Sequence, residues 1–341
     1  MKFVGADLHK KTISFCVVVI VDRKTQILRR RRFYCCDVGG IRRFLKDLGS
    51  FEVTVEATIG YDWFAALAEE YAQRVAIAHA GKLRVIAEST RKTDKIDAKI
   101  LAEFLAHDMI PEAWRPTPRV RQHRSLVRRR FKVQSRITSI KNTMRGILTR
   151  YNADRSDLFT RIGQAATAKL QLLEEEEWLM SQLWEDLASA QKSLEQVNQR
   201  LVHFAKKATV QEREARAILE TLPGAGPVTI NTILAELGDW QRFRRGDAVV
   251  AFAGLDPGVR ESDGRRRDLK ITKAGSPLLR WIMIQLAHRL KRTTARWQSK
   301  FNRLSHRIGA KKATCAIARQ LLLVIYAMLR DGKCYQFGAA A

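Results

Sequence analysis

The chain has 341 residues, and its 62 lysines and arginines against 35 acidic residues give a formal net charge of +27. So large a charge works against close packing unless an anion neutralises it, which predicts a polyanionic partner, nucleic acid ahead of a membrane surface. The hydrophobic fraction of 46% is ordinary for a globular protein and excludes a disordered basic tail. Composition leaves an enzyme and a passive binder both open.

The cysteines and histidines show no disulfide or zinc signature. The five cysteines contain no CxxC pair, and the seven histidines have no ligand spacing such as HxxxH. The apolar run at residues 13–21 is too short to span a bilayer, lacks a small-residue cleavage pattern after it, and predicts a buried strand. We therefore expect a protein of the reducing cytoplasm with no membrane partner.

The N-terminal third alternates short β-rich runs with helical patterns. The predicted strands are residues 3–8, 13–21, 27–34, 51–56 and 74–79, and the predicted helices are residues 40–48, 61–71 and 94–107. Residues 22–25 form a predicted turn between the second and third strands. Three opening strands followed by alternating helices and strands predict a mixed sheet covered by helices, which is the element order of RNase H-like folds.

Residues 115–150 form a basic helical stripe with 12 lysines or arginines and no acid. The densest part of the stripe contains Arg128, Arg129, Arg130 and Lys132. Solvated faces usually mix signs, whereas an unbroken positive run repels itself without an anion beside it. We therefore expect contact with phosphate, and a solvated face is the plainer alternative.

A heptad pattern follows at residues 180–204, where apolar residues alternate spacings of three and four. Polar residues between them leave one narrow apolar stripe for a partner helix. The pattern favours self-association as a coiled coil, while packing on another helix of the same chain remains open.

Residues 222–227 (Leu-Pro-Gly-Ala-Gly-Pro) interrupt two helical patterns. This arrangement predicts a helix-hairpin-helix in which Gly224 and Gly226 let backbone N–H groups approach a phosphate at the positive end of the second helix. A tight corner between helices needs similar glycines without any ligand. Further helical patterns follow at residues 246–253, 277–290 and 310–329.

Four acidic residues fall at the ends of predicted elements. Asp7 ends the first strand, Glu56 ends a later strand, and Asp94 and Asp97 share one face at the start of a helix. Singly, each is explained as a helix cap, a dipole partner or a solvated strand end. In an RNase H-like sheet all four would converge, and divalent cations relieve repulsion between converging carboxylates. Oxygen ligands suit Mg²⁺, the recurring cofactor of phosphoryl displacement.

These residues resemble the DEDD transposases of the insertion-sequence one-ten group, described as bridge-RNA-guided serine recombinases, over nearly the whole chain. The first half resembles the family's RuvC-like domain through residues 5–10 (Gly-Ala-Asp-Leu-His-Lys), 56–61 (Glu-Ala-Thr-Ile-Gly-Tyr) and 92–102 (Lys-Thr-Asp-Lys-Ile-Asp-Ala-Lys-Ile-Leu-Ala). The second half resembles its transposase domain through residues 222–226, 252–257, 271–275 and 279–280.

The patterns and the resemblance together predict three parts. Residues 1–155 would form an α/β RNase H-like (RuvC-like) DEDD domain with the basic helix. Residues 156–209 would form a coiled-coil dimerisation segment, and residues 210–341 a mainly α transposase domain that carries a helix-hairpin-helix and a serine nucleophile.

The family's nucleophilic serine lies between its last two motifs, where this sequence has only Ser262. The resemblance therefore implies that Ser262 forms a 5′-phosphoserine with DNA, with Thr272 as the fallback hydroxyl. Without the resemblance, Ser262 is an ordinary turn serine. Mg²⁺ held by the four acids would bind the scissile phosphate. Four cations close in sequence would neutralise developing charge, namely Arg265, Arg266, Arg267 and Lys273.

The resemblance also implies partners and a location. The partners are target and donor DNA, a structured bridge RNA that supplies sequence choice by base pairing, and further copies of the chain in a homodimer that assembles to a tetramer. The location is the bacterial cytoplasm, with the nucleoid. Two other interpretations stay open: a metal-dependent nuclease or junction resolvase in which water attacks, and a basic architectural or RNA-binding protein without catalysis.

Overall fold

A computed structural model of the chain describes residues 1–58, 60–86, 94–262 and 265–336, without the side chains of residues 84–86, 94–97, 259–262 and 265–269. The chain forms two compact units, Met1–Arg115 and Pro116–Ala341. This division differs from the predicted ones at residues 155 and 209, because the basic helix packs with the helices that follow it.

The first unit alternates strands and helices. Its strands are β1 (Lys2–Leu8), β2 (Thr12–Val21), β3 (Lys24–Tyr34), β4 (Phe51–Glu56) and β5 (Arg74–Ala78), and its helices are α1 (Val38–Asp47), α2 (Tyr61–Ala68), α3 (Ala80–Ile86) and α4 (Asp94–Ala106). The predicted mixed α/β order is confirmed, with α3 as an addition. Asp22 and Arg23 have φ angles of 50° and 60°, as a two-residue hairpin turn between β2 and β3 requires.

The five strands form one sheet in the order β3-β2-β1-β4-β5. The pairs β1–β2 and β2–β3 are antiparallel, whereas β1–β4 and β4–β5 are parallel. Because side chains alternate along a strand, Phe15 and Val17 of β2 enter a core with α1 and α2, while Cys16 and Val18 enter a core with α4. Helices therefore cover both faces of a mixed sheet, as RNase H-like architecture requires.

Gly5 on β1 is a point of very close approach between α4 and the sheet. A Cβ at residue 5 would lie 1.9 Å from the carbonyl oxygen of Ala98 and 2.6 Å from the amide nitrogen of Ala102. Both atoms belong to the backbone of α4, so a side chain would force the helix away from the strand. Glycine at this position thus allows α4 to lie against β1.

Gly5→Ala is expected to lower the free energy of unfolding by about 3 kcal/mol, the upper part of the usual range for overpacking. The measurement is urea denaturation followed by circular dichroism. Gly146→Ala, in a long helix of the second unit, is the matched control, because a Cβ there meets no atom within 4 Å. That control should gain about 0.5–1 kcal/mol from helix propensity. Equal stability of Gly5→Ala and the wild type would contradict the close approach.

The second unit is mainly helical. Its helices are α5 (Pro118–Arg150), α6 (Arg161–Thr167), α7 (Glu174–Lys206), α8 (Val210–Glu220), α9 (Pro227–Leu237), α10 (Gly246–Ala253), α11 (Pro277–Thr293), α12 (Ala295–Ile308) and α13 (Ala310–Asp331), with strands β6 (Pro257–Ser262) and β7 (Arg265–Ile271). The helical character of this region is confirmed. The β6–β7 hairpin was not predicted.

Helix α13 is long and apolar enough to cross a membrane by length and composition alone. In the structure, Ile317, Leu321 and Ile325 of this helix have no exposed surface and lie in one core with residues of α10, α11 and α12. Packing inside the second unit accounts for the apolar composition of α13.

The heptad stripe lies on α7, and its partner in the structure is α5 of the same chain. Met180, Leu187 and Ala190 are buried in one core with the apolar face of α5. Leu201 is buried with Val127 of α5. The expectation that this stripe binds a second copy is therefore corrected. The basic helix supplies a matching apolar face within the chain, and the alternative left open by the sequence is the observed one.

Leu187→Ala is expected to lower the free energy of unfolding by about 2–5 kcal/mol, because it removes a buried side chain from the α5–α7 contact. Val202→Ala on the same helix is the control, since Val202 is 58% exposed and should change stability by no more than about 0.5 kcal/mol. Thermal unfolding of both variants measures the difference. Equal, small effects would mean that α7 does not pack on α5 in solution.

Candidate active site

The carboxyl ends of β1 and β4 bring two acidic residues side by side. These strands are parallel neighbours, with Ala6 opposite Val55, and the next residue on each strand is Asp7 and Glu56 respectively. Asp7 is 7% exposed and Glu56 is half-buried. The structure thus places these two acids together, at the strand ends where parallel sheets commonly carry functional groups.

Helix α4 begins at the same end of β1. Ala98 lies over Gly5 in the middle of the strand, while Glu103 accepts a hydrogen bond of 3.3 Å from Thr25, next to the turn at the opposite end of the sheet. The helix therefore runs antiparallel to β1, and its first turn, from Asp94, lies toward the end that carries Asp7. The side chains of Asp94 and Asp97 lie outside the described residues, so their place in the acid set remains a prediction.

His9 is a partner of Asp7 that the sequence did not indicate. Its Nε2 lies 3.0 Å from Oδ2 of Asp7, and its side chain is 45% exposed. The only signal in the sequence was that His9 stands two residues after Asp7. His9 was not singled out because the histidines show no metal-ligand spacing. A cationic His9 would offset the negative charge of Asp7.

The described side chains contain no group of three that could hold a metal ion. They do contain two adjacent carboxylates, and their oxygens are the ligands that hard divalent cations prefer. Two like charges one strand apart also favour a cation between them. The described part of the site therefore fits a divalent ion, with Asp7 and Glu56 as its ligands.

The β6–β7 hairpin carries the candidate nucleophile. Ser262 is the last residue of β6 and pairs with Arg265, while Glu261 pairs with Arg266 and Arg260 with Arg267. The side chains of Ser262 and of residues 265–267 lie outside the described residues. The backbone ladder alone thus brings the arginine run opposite the end of the serine strand.

The base of this hairpin is built by two tightly packed segments. A Cβ on Gly254 would lie 2.8 Å from the Cα of Lys273, and a Cβ on Gly275 would lie 1.9 Å from the carbonyl oxygen of Phe252. Lys273 itself has a φ of 55°, an uncommon conformation for a residue with a side chain. This backbone contact explains why residues 252–257 and 271–275 both contain glycine.

Thr272 also belongs to the hairpin base. The Thr272 hydroxyl donates a hydrogen bond of 2.5 Å to Oδ1 of Asp256. The backbone amide of Thr272 donates a second bond, of 3.0 Å, to the backbone carbonyl of Asp256. Asp256 is a second residue without a predicted role. The fallback hydroxyl is therefore held by a carboxylate at the foot of the hairpin that carries Ser262.

The predicted glycine hairpin is a short turn between α8 and α9. Gly224 has a φ of 76°, which favours glycine, and its Cβ would lie 3.0 Å from Cδ of Arg289. Gly226 is the N-cap of α9, and a Cβ there meets no described atom within 4 Å. This geometry suits both of the predicted alternatives, a phosphate-binding turn and an unliganded corner.

The basic stripe on α5 finds its acids on other helices of the same unit. Arg119 pairs with Glu212, Arg136 with Asp186, and Arg150 with Glu176. Ion pairs between helices therefore neutralise part of the positive charge of the stripe. Some of its arginines are not available to bind phosphate, even though the stripe itself contains no acid.

Two of the arginines predicted to contact phosphate form hydrogen bonds with other side chains of the same unit. Arg128 donates two hydrogen bonds of 3.0 and 3.1 Å to Glu236, which is 1% exposed, and this partner raises the pKa of Arg128. Arg130 donates a bond of 2.9 Å to Asn198, and burial lowers its pKa. Arg129 and Lys132 are exposed. Arg129 and Lys132 are therefore stronger candidates for nucleic-acid contact than Arg128 and Arg130.

Comparison with known proteins finds a family match for each of these two regions. Residues 4–153, which contain the acids, match a DEDD family model described as "Transposase". Residues 216–302, which contain the glycine turn and the hairpin, match the model described as "Transposase IS116/IS110/IS902 family". A DEDD transposase domain implies dependence on a divalent metal.

Three curated relatives are transposases. The probable family 20 transposase of Pseudomonas aeruginosa is 25% identical over 348 residues, covering 98% of each chain. The transposase for insertion sequence element IS1111A of Coxiella burnetii is 24% identical over 73% of this chain and 70% of its own length. The transposase for IS1328 of Yersinia enterocolitica is 23% identical over 97% of this chain and 98% of its own. Two regions of this chain thus match the DEDD and IS116/IS110/IS902 transposase models, and these matches together with the relatives support a transposase function of the IS110 type.

Proposed function

We propose that this transposase cuts and rejoins DNA through a 5′-phosphoserine on Ser262, with sequence choice supplied by a structured bridge RNA. Mg²⁺ bound by Asp7, Glu56, Asp94 and Asp97 would supply positive charge at the scissile phosphate. The rival function is that of a metal-dependent RuvC-like nuclease or junction resolvase, in which water replaces the serine.

The observation that carries the proposal is the adjacent pair Asp7 and Glu56 at the ends of two parallel strands. The start of α4, at Asp94, lies toward the same end of β1. In a chain of net charge +27, acids gathered at one point need a functional reason. Binding a cation at a phosphate supplies that reason.

The serine step uses groups of the hairpin. Oγ of Ser262 attacks phosphorus, a P–Oγ bond forms, and the bond from phosphorus to the 3′ oxygen breaks. The serine gives its proton to solvent, and the departing oxygen takes one up to become a 3′ hydroxyl. Arg265 lies across the backbone ladder from Ser262, and it and its neighbours on β7 would neutralise the charge that develops on phosphate.

Rejoining reverses the same bonds. A 3′ hydroxyl from a second strand attacks the phosphoserine, a new phosphodiester forms, and Ser262 regains its proton. The covalent link conserves the free energy of the broken bond, so resealing needs no nucleotide. The close backbone contacts at Gly254 and Gly275 support this role, because they fix the base of the hairpin.

Nucleic-acid binding would combine several basic surfaces. Arg129 and Lys132 are exposed on α5 and would contact phosphate. Gly224 and Gly226 would admit a phosphate at the start of α9, with Arg289 beside Gly224. The bridge RNA would pair with target and donor DNA in the bacterial cytoplasm. A homodimer assembling to a tetramer would join four DNA ends, through a surface other than the covered stripe of α7.

Gel analysis of the DNA ends tests the chemistry of cutting. The purified chain with its co-purifying RNA is incubated with Mg²⁺ and DNA labelled on either side of the cleavage point, with a parallel sample treated with RNase. We expect a free 3′ hydroxyl end and a 5′ end that enters the gel only after protease digestion, both lost on RNase treatment. Two free ends without a protein link would favour the nuclease. Cutting that persists after RNase treatment would contradict RNA guidance.

A further inference from the structure

The edge strand β3 brings an arginine into line with the acid pair. In the β2–β3 ladder, Arg32 lies opposite Ser14, and in the β1–β2 ladder Ser14 lies opposite Asp7. Arg32, Ser14 and Asp7 thus form one row across three strands, and Glu56 follows on β4. Two strand spacings place the backbones of Arg32 and Asp7 about 10 Å apart.

A second arginine occupies the next row on the same face of the sheet. Arg30 lies opposite Cys16, and Cys16 lies opposite Gly5, the residue against which α4 packs. Burial raises the pKa of the Cys16 thiol, and the neighbouring Arg30 guanidinium acts in the opposite direction. Because side chains two residues apart on a strand share a face, Arg30 and Arg32 both lie on the side of Asp7 and α4.

The two alternate arginines of the run lie on the other face. The guanidinium of Arg29 lies 5.2 Å from the ring centroid of Phe44 on α1. Arg31 lies opposite Phe15, which is buried in the core with α1. The strand therefore divides the four consecutive arginines into two pairs. Arg30 and Arg32, the acid-site pair, lie on the face of Asp7 and α4, and Arg29 and Arg31, the remote pair, lie on the face of α1.

A cleft of about 330 Å³ opens between the acid-site pair and the start of α4. Its lining includes His9, Ser14, Cys16, Arg30, Arg32 and Ala98. Phe15 and Arg31 also border the cleft, although the alternation of side chains along the strands directs both toward the α1 face. His9 also pairs with Asp7, so the cleft adjoins the acid pair directly.

The arginines of the acid-site pair differ from those of α5 in their ion-pair partners. Whereas arginines of α5 pair with acids of other helices, neither Arg30 nor Arg32 forms an ion pair with a carboxylate among the described side chains. Arg32 donates a hydrogen bond of 3.2 Å to the hydroxyl of Thr12, which leaves further donors of its guanidinium. Charged residues on an edge strand also prevent association of sheets, and that role would use all four arginines alike.

We propose that Arg30 and Arg32 bind the phosphodiester backbone of the nucleic-acid strand that enters the acid site, one or two phosphates from the reacting one. This proposal rests on the proposed function for the identity of that strand. Planar guanidinium groups match phosphate oxygens, and two of them beside two carboxylates hold a polyanion where the carboxylates alone would repel it.

The test compares two double variants of the full chain that lose equal charge from the same strand. Arg30→Gln with Arg32→Gln removes the acid-site pair, and Arg29→Gln with Arg31→Gln removes the remote pair. Fluorescence anisotropy measures binding of a labelled single-stranded and a labelled duplex oligonucleotide, in Ca²⁺ to prevent cutting, over a series of KCl concentrations. The acid-site variant should bind about tenfold more weakly, with a salt slope smaller by about one to two. The remote variant should stay within about threefold of the wild type.

Equal weakening by both variants would overturn the proposal and favour a general charge effect of the edge strand. Unchanged binding by the acid-site variant would overturn it as well. Thermal unfolding of each variant shows whether a loss of fold causes a loss of binding. Because binding is measured without cutting, failure of the proposed cleavage chemistry would appear separately, as cutting that does not depend on Asp7 or Ser262.

Discussion

Asp7→Asn is expected to reduce DNA strand cleavage by about a thousandfold while leaving nucleic-acid binding within about twofold of the wild type. Asparagine keeps the size of Asp7 but removes one of the two adjacent negative charges that would hold the divalent ion. Cleavage of labelled DNA under single-turnover conditions measures the loss. Glu56→Gln, on the neighbouring strand, should have an effect of the same order.

Glu52→Gln is the matched control for these two variants. Glu52 lies on β4 with Glu56 but at the other end of the strand, where it lies 3.4 Å from Arg74 on the neighbouring strand β5. An exposed pair of this kind contributes little to stability, so cleavage should stay near the wild-type rate. Wild-type cleavage by Asp7→Asn would show that the acid pair is not the metal site.

Ser262→Ala is expected to abolish the covalent protein–DNA adduct and the rejoining of strands. Alanine lacks the oxygen that forms the proposed bond to phosphorus. If water attacked instead, the free energy of the broken phosphodiester would be lost and the strands could not be resealed. Denaturing gel electrophoresis of radiolabelled DNA with the protein measures the adduct directly. Cutting by Ser262→Ala at the wild-type rate, with free ends, would instead assign the attack to water.

Thr272→Ala decides between the two candidate hydroxyls. Because Thr272 bonds to Asp256 at the base of the hairpin, we expect its loss to lower thermal stability slightly and to leave the adduct in place. Loss of the adduct in Thr272→Ala, with an adduct retained in Ser262→Ala, would move the nucleophile to residue 272.

The first unit could be predicted from sequence because its signals are local. The strands that carry Asp7 and Glu56 are short, largely apolar runs with the acid at or next to the last residue, so the element order already placed both acids at strand ends. His9 was missed because one histidine beside an acid has no spacing that distinguishes it from a surface residue. Helix α3 was missed because a helix of only seven residues carries little periodicity.

The second unit depends on contacts between residues far apart in sequence. Arg128 pairs with Glu236, 108 residues away, so the basic run looks uncompensated until the fold brings α9 beside α5. The heptad stripe likewise reveals that α7 has a partner, but not which helix it is. The β6–β7 hairpin did have a signal, since Asp263-Gly264 between two runs is a common hairpin turn sequence, but the charged residues of both strands obscured the alternation.

Mass spectrometry of the peptide that contains Ser262 tests the central claim most directly. The protein is incubated with its RNA, Mg²⁺ and DNA, then digested with protease and nuclease, and the peptides are searched for a nucleotide remnant. We expect a phosphate-linked nucleotide on Ser262 that is absent from Asp7→Asn and Ser262→Ala. Cleaved DNA with an unmodified Ser262 would contradict it and identify the enzyme as a nuclease.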